Sequence, residues 1–240
     1  MKVVVVGGSG LIGRKLVGLL AAGGHEAVPV SKSTGVDVIT GEGLAEAFRG
    51  ADVVVDVTNA PSWGDDEVLA FFSTSARNLA AAEQQAGVRH HLALTIVNAE
   101  TMPDSGYMRA KVAQERIIIE SGVPYTIVRA TQFHEFVSMI ADAGTSGDEV
   151  RVTTAAFQPV AAGDVAALLA ELVDQPPLNG IVNLGGPEVQ PMSTFVQRFL
   201  EATGDTRTVI PDAAAGYFGA KVDDSSLTTR DGARIGATAF

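Results

Sequence analysis

The stretch Val3-Val4-Val5-Val6-Gly7-Gly8-Ser9-Gly10-Leu11-Ile12-Gly13 decides how this chain is read. Four consecutive valines have the pattern of a strand buried on both faces inside a parallel sheet. The glycines that follow satisfy two overlapping patterns. Gly7, Gly10 and Gly13 give G-x-x-G-x-x-G, and Gly8, Gly10 and Gly13 give G-x-G-x-x-G. A helix is expected over residues 10–20, so the loop joins a strand to a helix. A tight turn, a close backbone approach to an anion and close helix–strand packing each exclude a Cβ. The helix N-terminus adds unpaired N–H groups and the positive end of the macrodipole. A dinucleotide pyrophosphate is therefore the expected ligand of Gly7, Ser9, Gly10, Leu11, Ile12 and Gly13.

The alternation continues downstream. Strands are expected at residues 26–30, 36–39, 52–57, 92–97 and 125–129, and helices at 42–48, 68–86 and 107–121. Six strands joined by helices predict an α/β fold with a doubly wound parallel sheet over residues 1–130, the dinucleotide-binding core. Beyond residue 130 the rhythm changes, with turn-rich breaks at Gln175-Pro176-Pro177 and Gly185-Gly186-Pro187. Residues 131–240 read as a smaller α/β lobe packed on the core as one structural unit. It should hold helices at 163–173 and 192–202 and a strand at 180–184.

Composition narrows the function classes. Of 240 residues, 46% are hydrophobic and only 6% aromatic, so the core must be mainly aliphatic. Cysteine is absent, which excludes disulfides, thiolate catalysis and Cys-ligated metals. The net charge of −11, with no basic stripe, argues against nucleic acid as a partner. No apolar run has the length of a membrane helix, and the opening valines are too few for a signal-peptide core. A cytoplasmic protein is expected. His90 and His91 read as surface or edge residues, and no metal site is expected. Asp65-Asp66-Glu67 and Asp223-Asp224 read as helix-start or surface charge.

The end of the second strand bears on which dinucleotide is bound. An NAD site usually carries a carboxylate there for the ribose 2′-hydroxyl. This chain has Ser31-Lys32-Ser33, one cation between two hydroxyls, with Arg14 as a second charge nearby. NADP(H) is favoured over NAD(H), because Lys32 would attract a 2′-phosphate.

Tyr107 and Lys111 form Y-x-x-x-K at the start of an expected helix, which puts both side chains on one face. A cation beside a phenol favours the phenolate and brings its pKa toward the working range. The pair lies just beyond the fifth strand, at the carboxyl edge where open α/β sheets bind ligands. Tyr217 and Lys221 repeat the spacing in an irregular segment with Gly219 between them, and are expected to carry no chemistry.

The glycine loop, the strand pattern, Tyr107-x-x-x-Lys111 and Val128-Arg129-Ala130-Thr131-Gln132-Phe133 together resemble the short-chain dehydrogenase/reductase superfamily. The likeness is nearest to its atypical, NmrA-like NAD(P)-binding branch. That resemblance implies Tyr107 as proton donor and Lys111 as activator and nicotinamide-ribose ligand. It puts Thr95, twelve residues before Tyr107, in the place of the family's carbonyl-holding serine. It also implies Asp37 as a contact for the adenine amino group, with Thr58 and Asn59 lining the cofactor cleft. Trp63, Gln132, Phe133 and His134 flank the mouth of that cleft and are candidates for a substrate pocket, with structural packing as the other role open to them. The expected function is NADP(H)-dependent reduction of a carbonyl or similar small electrophile. Some members of the branch bind the cofactor without turning it over, so an NAD(P)-sensing regulator with a protein partner is the alternative.

Overall fold

In the computed structural model, which describes residues 1–240, β1 (Lys2–Val6) leads into α1 (Leu11–Ala22) and back to β2 (Glu26–Val30). The single-turn α2 (Leu44–Ala47), β3 (Val53–Asp56), α3 (Asp65–Ala86), β4 (His90–Ile96), α4 (Gly106–Glu120) and β5 (Tyr125–Ala130) follow. Next come α5 (Val137–Ala143), β6 (Thr145–Ser146), β7 (Glu149–Val152), β8 (Ala156–Phe157) and α6 (Ala162–Val173). The last elements are β9 (Gly180–Gly185), β10 (Gln190–Pro191), α7 (Met192–Thr203), β11 (Thr208–Pro211) and β12 (Arg234–Ile235).

Seven parallel strands form the main sheet in the order β12–β9–β5–β4–β3–β1–β2. The winding direction reverses between β1 and β3, which opens a crevice at the carboxyl edge. The valine run shows why both faces are covered. Val3 and Val5 join Leu16, Leu20, Val165 and Leu169 on the α1–α6 side, while Val4 and Val6 join Leu44, Phe48 and Leu79 on the α2–α3 side. Successive strand residues point to opposite faces, so only a sheet sandwiched by helices can bury all four. The smaller lobe sets β7 between β6 and β11 over an apolar cluster that includes Ile140, Phe157, Phe195 and Leu200.

Three expectations need correction. Residues 36–39 are not a strand. Asp37 Oδ1 accepts the Ile39 and Thr40 N–H groups, and Gly35, Gly41 and Gly43 all have positive φ, so the chain turns there. Val36 is buried all the same, so its apolar character marks packing and not strand pairing. Second, the expected division at residue 130 is crossed. β9 pairs with β5, β12 with β9, and α6 packs against α1, which covers an edge that β5 would otherwise present bare. Third, His90 and His91 are each only 3% exposed. His90 Nε2 lies 2.9 Å from Thr126 Oγ1, and His91 Nδ1 lies 2.7 Å from Glu83 Oε1.

Candidate functional site

The glycine loop sits at the crevice. Gly7 has φ +83°, a left-handed conformation, and a Cβ there would lie 2.9 Å from the Val57 carbonyl oxygen. A Cβ on Gly13 would lie 2.3 Å from Gly7 O and 2.6 Å from Gly8 Cα, so the helix can approach the loop only with glycine at that position. Gly10 occupies the N-cap of α1, where no side chain caps the helix and the first turn holds no acidic residue. Leu11 and Ile12 begin the helix, with Ile12 buried in the core. The free N–H groups of this terminus suit an anion. The Arg14 guanidinium folds back over the loop and donates to the Ser9 carbonyl at 2.6 Å.

At the end of β2, Ser31 begins a short 3-10 turn over Lys32–Thr34. The Ser31 and Ser33 hydroxyls lie 2.8 Å apart, and Lys32 Nζ is 3.2 Å from Asp37 Oδ2. The Asp37 carboxyl is held below its usual range, first by the Ile39 N–H and then by Lys32. Lys32 is therefore exposed but already shares its charge with an acid.

Tyr107 stands in the first turn of α4. Ser105 caps that turn, and an Arg109–Asp65 ion pair ties it to the start of α3. The Tyr107 hydroxyl donates to Asn59 Oδ1 at 2.8 Å, and its ring lies between Trp63 and Phe72 at centroid distances of 5.4 and 5.7 Å. Burial pushes its pKa up to about 12, so the phenol is protonated at neutral pH. The expected activation by Lys111 is not what the structure holds. Lys111 Nζ donates to Leu94 O at 3.0 Å and Gln114 Oε1 at 2.5 Å, and its remaining side faces the Phe72 ring at 4.2 Å. Its donors are engaged away from the phenol. Burial lowers the Lys111 pKa to about 8, against the opposing pull of Asp56 and Glu115.

A buried polar array surrounds this lysine. Gln114 bridges Lys111 to Asp56 Oδ2, and Asp56 Oδ1 accepts both the N–H and the hydroxyl of Thr58. Thr95 donates its hydroxyl to Glu115 Oε1 at 2.5 Å, and Glu115 also receives a two-pronged contact from Arg129. The Thr95 donor is thus committed within the protein, contrary to the expectation of a free carbonyl-holding hydroxyl. Sequence reading stopped at Tyr107 and Lys111, although Glu115 continues the same four-residue step along α4.

Just past β5, Thr131 Oγ1 and both amide atoms of Gln132 are buried without a hydrogen-bond partner. Such groups are costly to leave unpaired. They lie at the carboxyl edge with the glycine loop and would suit a polar ligand spanning that edge. Phe133 packs against the α1–α6 cluster. His134 Nε2 lies 3.0 Å from Pro159 O, with its ring edge-on to Phe240. Of the four pocket candidates, Trp63 lies against Tyr107 and Gln132 has unpaired polar atoms, while Phe133 and His134 are taken up in packing. The acidic residues behave as expected. Asp65, Asp66 and Glu67 form the first turn of α3, and Asp223 and Asp224 accept nearby N–H groups.

Tyr217 lies outside any helix, in the irregular segment expected of it. It and Tyr107 pack against the same apolar cluster, and a charge on the Tyr107 oxygen opposes ionisation of Tyr217. The Tyr217–Ala220 segment is a tight turn and not a helix, so Lys221 does not share a helical face with the phenol.

A family profile described as NAD(P)H-binding matches residues 7–176. The chain is 33% identical over 144 residues to a (4-alkanoyl-5-oxo-2,5-dihydrofuran-3-yl)methyl phosphate reductase of Streptomyces griseus, covering 55% of this chain and 48% of that protein. It is 26% identical over 147 residues to the photosystem II assembly factor Ycf39 of Synechocystis, covering 55% and 45%. The chain spans about half the length of the curated relatives it matches. A dTDP-4-dehydrorhamnose reductase from Clostridium acetobutylicum superposes with a TM-score of 0.76 at 20% identity, covering 98% of this chain and 95% of that one, which shows a shared fold. No helix is long and apolar enough to cross a membrane.

Proposed function

The chain belongs to the NAD(P)H-binding family, and we propose on that premise that it is an NADP(H)-dependent reductase of a carbonyl or similar small electrophile. One observation carries the reading. A phenol that stays protonated at neutral pH, Tyr107, lies at the carboxyl edge of the sheet that also holds the glycine loop. The Gly7–Gly13 loop and the open start of α1 would hold the pyrophosphate. Lys32 and Ser33 would meet the 2′-phosphate, and Asp37 the adenine edge. The hydride would come from the bound dinucleotide. Tyr107 supplies the proton to the substrate oxygen, and Asn59 orients the phenol that gives it. Lys111 is a positioning residue that fixes α4 to β4 through Leu94 O, so that Tyr107 stays at the edge. The name of the Streptomyces relative supports a reductase acting on an unsaturated oxygen heterocycle.

The test is substrate-stimulated loss of nicotinamide absorbance over a panel of ketones, aldehydes, quinones and enones, run with NADPH and with NADH. Turnover with NADPH in preference to NADH is expected. The commitment of Thr95 to Glu115 favours a second reading, a cofactor-sensing protein without turnover. The assembly-factor name of the Synechocystis relative supports it. No turnover across the panel, with capture of a protein partner that depends on the NADP redox state, would select that reading.

A further inference from the structure

Tryptophan is among the most buried side chains on average, yet Trp63, the single tryptophan, is 63% exposed. It lies on the connection between β3 and α3, which is tied down on both sides of it. On one side Asn59 Oδ1 accepts the Ala60 N–H at 3.0 Å and the Tyr107 hydroxyl at 2.8 Å, and Ala60 joins Val68, Phe72 and Ala110 in an apolar cluster. On the other, Asp65 pairs with Arg109 at 2.7 Å and takes up space that a Cβ on Gly106 would fill. The place of Trp63 is therefore fixed by its neighbours in the chain, and not by burial of its own ring.

Trp63 also ends a row of four rings. Centroid distances are 5.3 Å from Phe71 to Phe72, 5.7 Å from Phe72 to Tyr107 and 5.4 Å from Tyr107 to Trp63. Phe71 is half-buried and Phe72 fully buried, with the Lys111 ammonium over its ring, and Tyr107 has an aromatic neighbour on either hand. The Trp63 end alone is open to solvent. A ring laid on the indole is therefore only one ring away from the phenol. A flat ring gains dispersion and quadrupole contact there that a puckered ring or a flexible chain does not. Asp66 and Glu67 follow closely, both exposed, and of the three acids at the start of α3 only Asp65 has an ion-pair partner. An anionic ring would be repelled.

We infer that Trp63 is a stacking platform that selects substrates whose carbonyl is conjugated to an uncharged planar ring. The inference rests on the reductase reading for the role of Tyr107 and adds the class of substrate to it. Conjugation holds the carbonyl in the plane of its ring. Stacking that ring on Trp63 therefore fixes the direction of the carbonyl oxygen as well as its position, beside the Tyr107 phenol. The substrate class is an aryl or ring-conjugated ketone or aldehyde, taken in preference to its saturated counterpart.

The protein saturated with NADP⁺ is titrated by equilibrium dialysis with acetophenone and with cyclohexyl methyl ketone, which share a carbon skeleton and differ in the flatness of the ring. Hydrophobic transfer alone favours the saturated ring, which has the larger apolar surface, so the sign of the difference separates stacking from simple burial. Acetophenone should bind about fivefold more tightly. Trp63→Leu keeps an apolar side chain at an exposed position and should bring the two ketones to within about twofold of each other, whereas Trp63→Phe should keep part of the preference. 4-Acetylbenzoate, the same ring bearing a carboxylate, should bind the wild-type protein more weakly than acetophenone; equal binding overturns the requirement for an uncharged ring. Equal affinities for the two ketones, a preference that survives Trp63→Leu, or no saturable binding of acetophenone overturns the platform. With NADPH the same preference should appear in kcat/KM. A Trp63-dependent binding preference without NADPH oxidation would count against the reductase reading alone.

Discussion

Tyr107→Phe separates the chemical role of the phenol from its structural one. The hydroxyl makes one hydrogen bond, to Asn59 Oδ1, and that acceptor is also served by the Ala60 N–H at 3.0 Å. Removing the hydroxyl leaves no orphaned group, so the stability cost should be that of an ordinary hydrogen bond, about 0.5–1.5 kcal/mol. The ring keeps its places against Trp63 and Phe72. Loss of a general acid should instead cost turnover ~10²–10⁴-fold, or about 3–5 kcal/mol in the barrier. Denaturant unfolding, NADPH calorimetry and steady-state kinetics on one preparation read the three quantities. The expected result is a small stability loss, unchanged NADPH affinity and a collapse of kcat. Because burial holds the phenol pKa near 12, wild-type activity should show no loss from its ionisation around neutral pH. Wild-type turnover in a folded Tyr107→Phe protein would refute the assignment of Tyr107 as the acid.

The remaining predictions concern the cofactor loop and the buried lysine. A Cβ on Gly10 would meet only Gly7 O, at 3.2 Å, so Gly10→Asp should fold; its carboxylate at the start of α1 should lower NADPH affinity at least ~100-fold by calorimetry. Gly13→Ala forces a Cβ into loop backbone and should cost about 1–3 kcal/mol in denaturant unfolding as well as affinity. Lys32→Asp should weaken NADPH by about 2 kcal/mol relative to NADH, and equal losses for the two nucleotides would remove the 2′-phosphate role. Lys111→Met tests the depressed lysine pKa. Between about 8 in the folded chain and the ordinary lysine value of 10.5, the unfolded chain binds more protons than the folded one. Wild-type stability measured against the variant should therefore rise across that window, by at most about 3 kcal/mol, and stay flat below it.

The valine run and the glycine loop were legible in the sequence because their constraints are local. Four apolar residues in a row require cover on both faces, and Gly7 and Gly13 are fixed by contacts with backbone near them in the chain and just past β3. The helical spacing of Tyr107 and Lys111 was legible for the same reason, and α4 carries both. What each side chain does was not legible. The Lys111 ammonium is directed by Leu94 and Gln114 and the Thr95 hydroxyl by Glu115, and these partners come from different elements. Residues 36–39 look like a strand in isolation, yet Asp37 turns them, while β9 and β12 enter the main sheet from far along the chain. Tyr217 repeats a motif that spacing alone cannot interpret, and only the folding of residues 213–222 onto the smaller lobe puts it on the same cluster as Tyr107. Backbone periodicity follows from each residue and its near neighbours, whereas the direction of a polar side chain is set by whichever partner tertiary packing brings within hydrogen-bond reach.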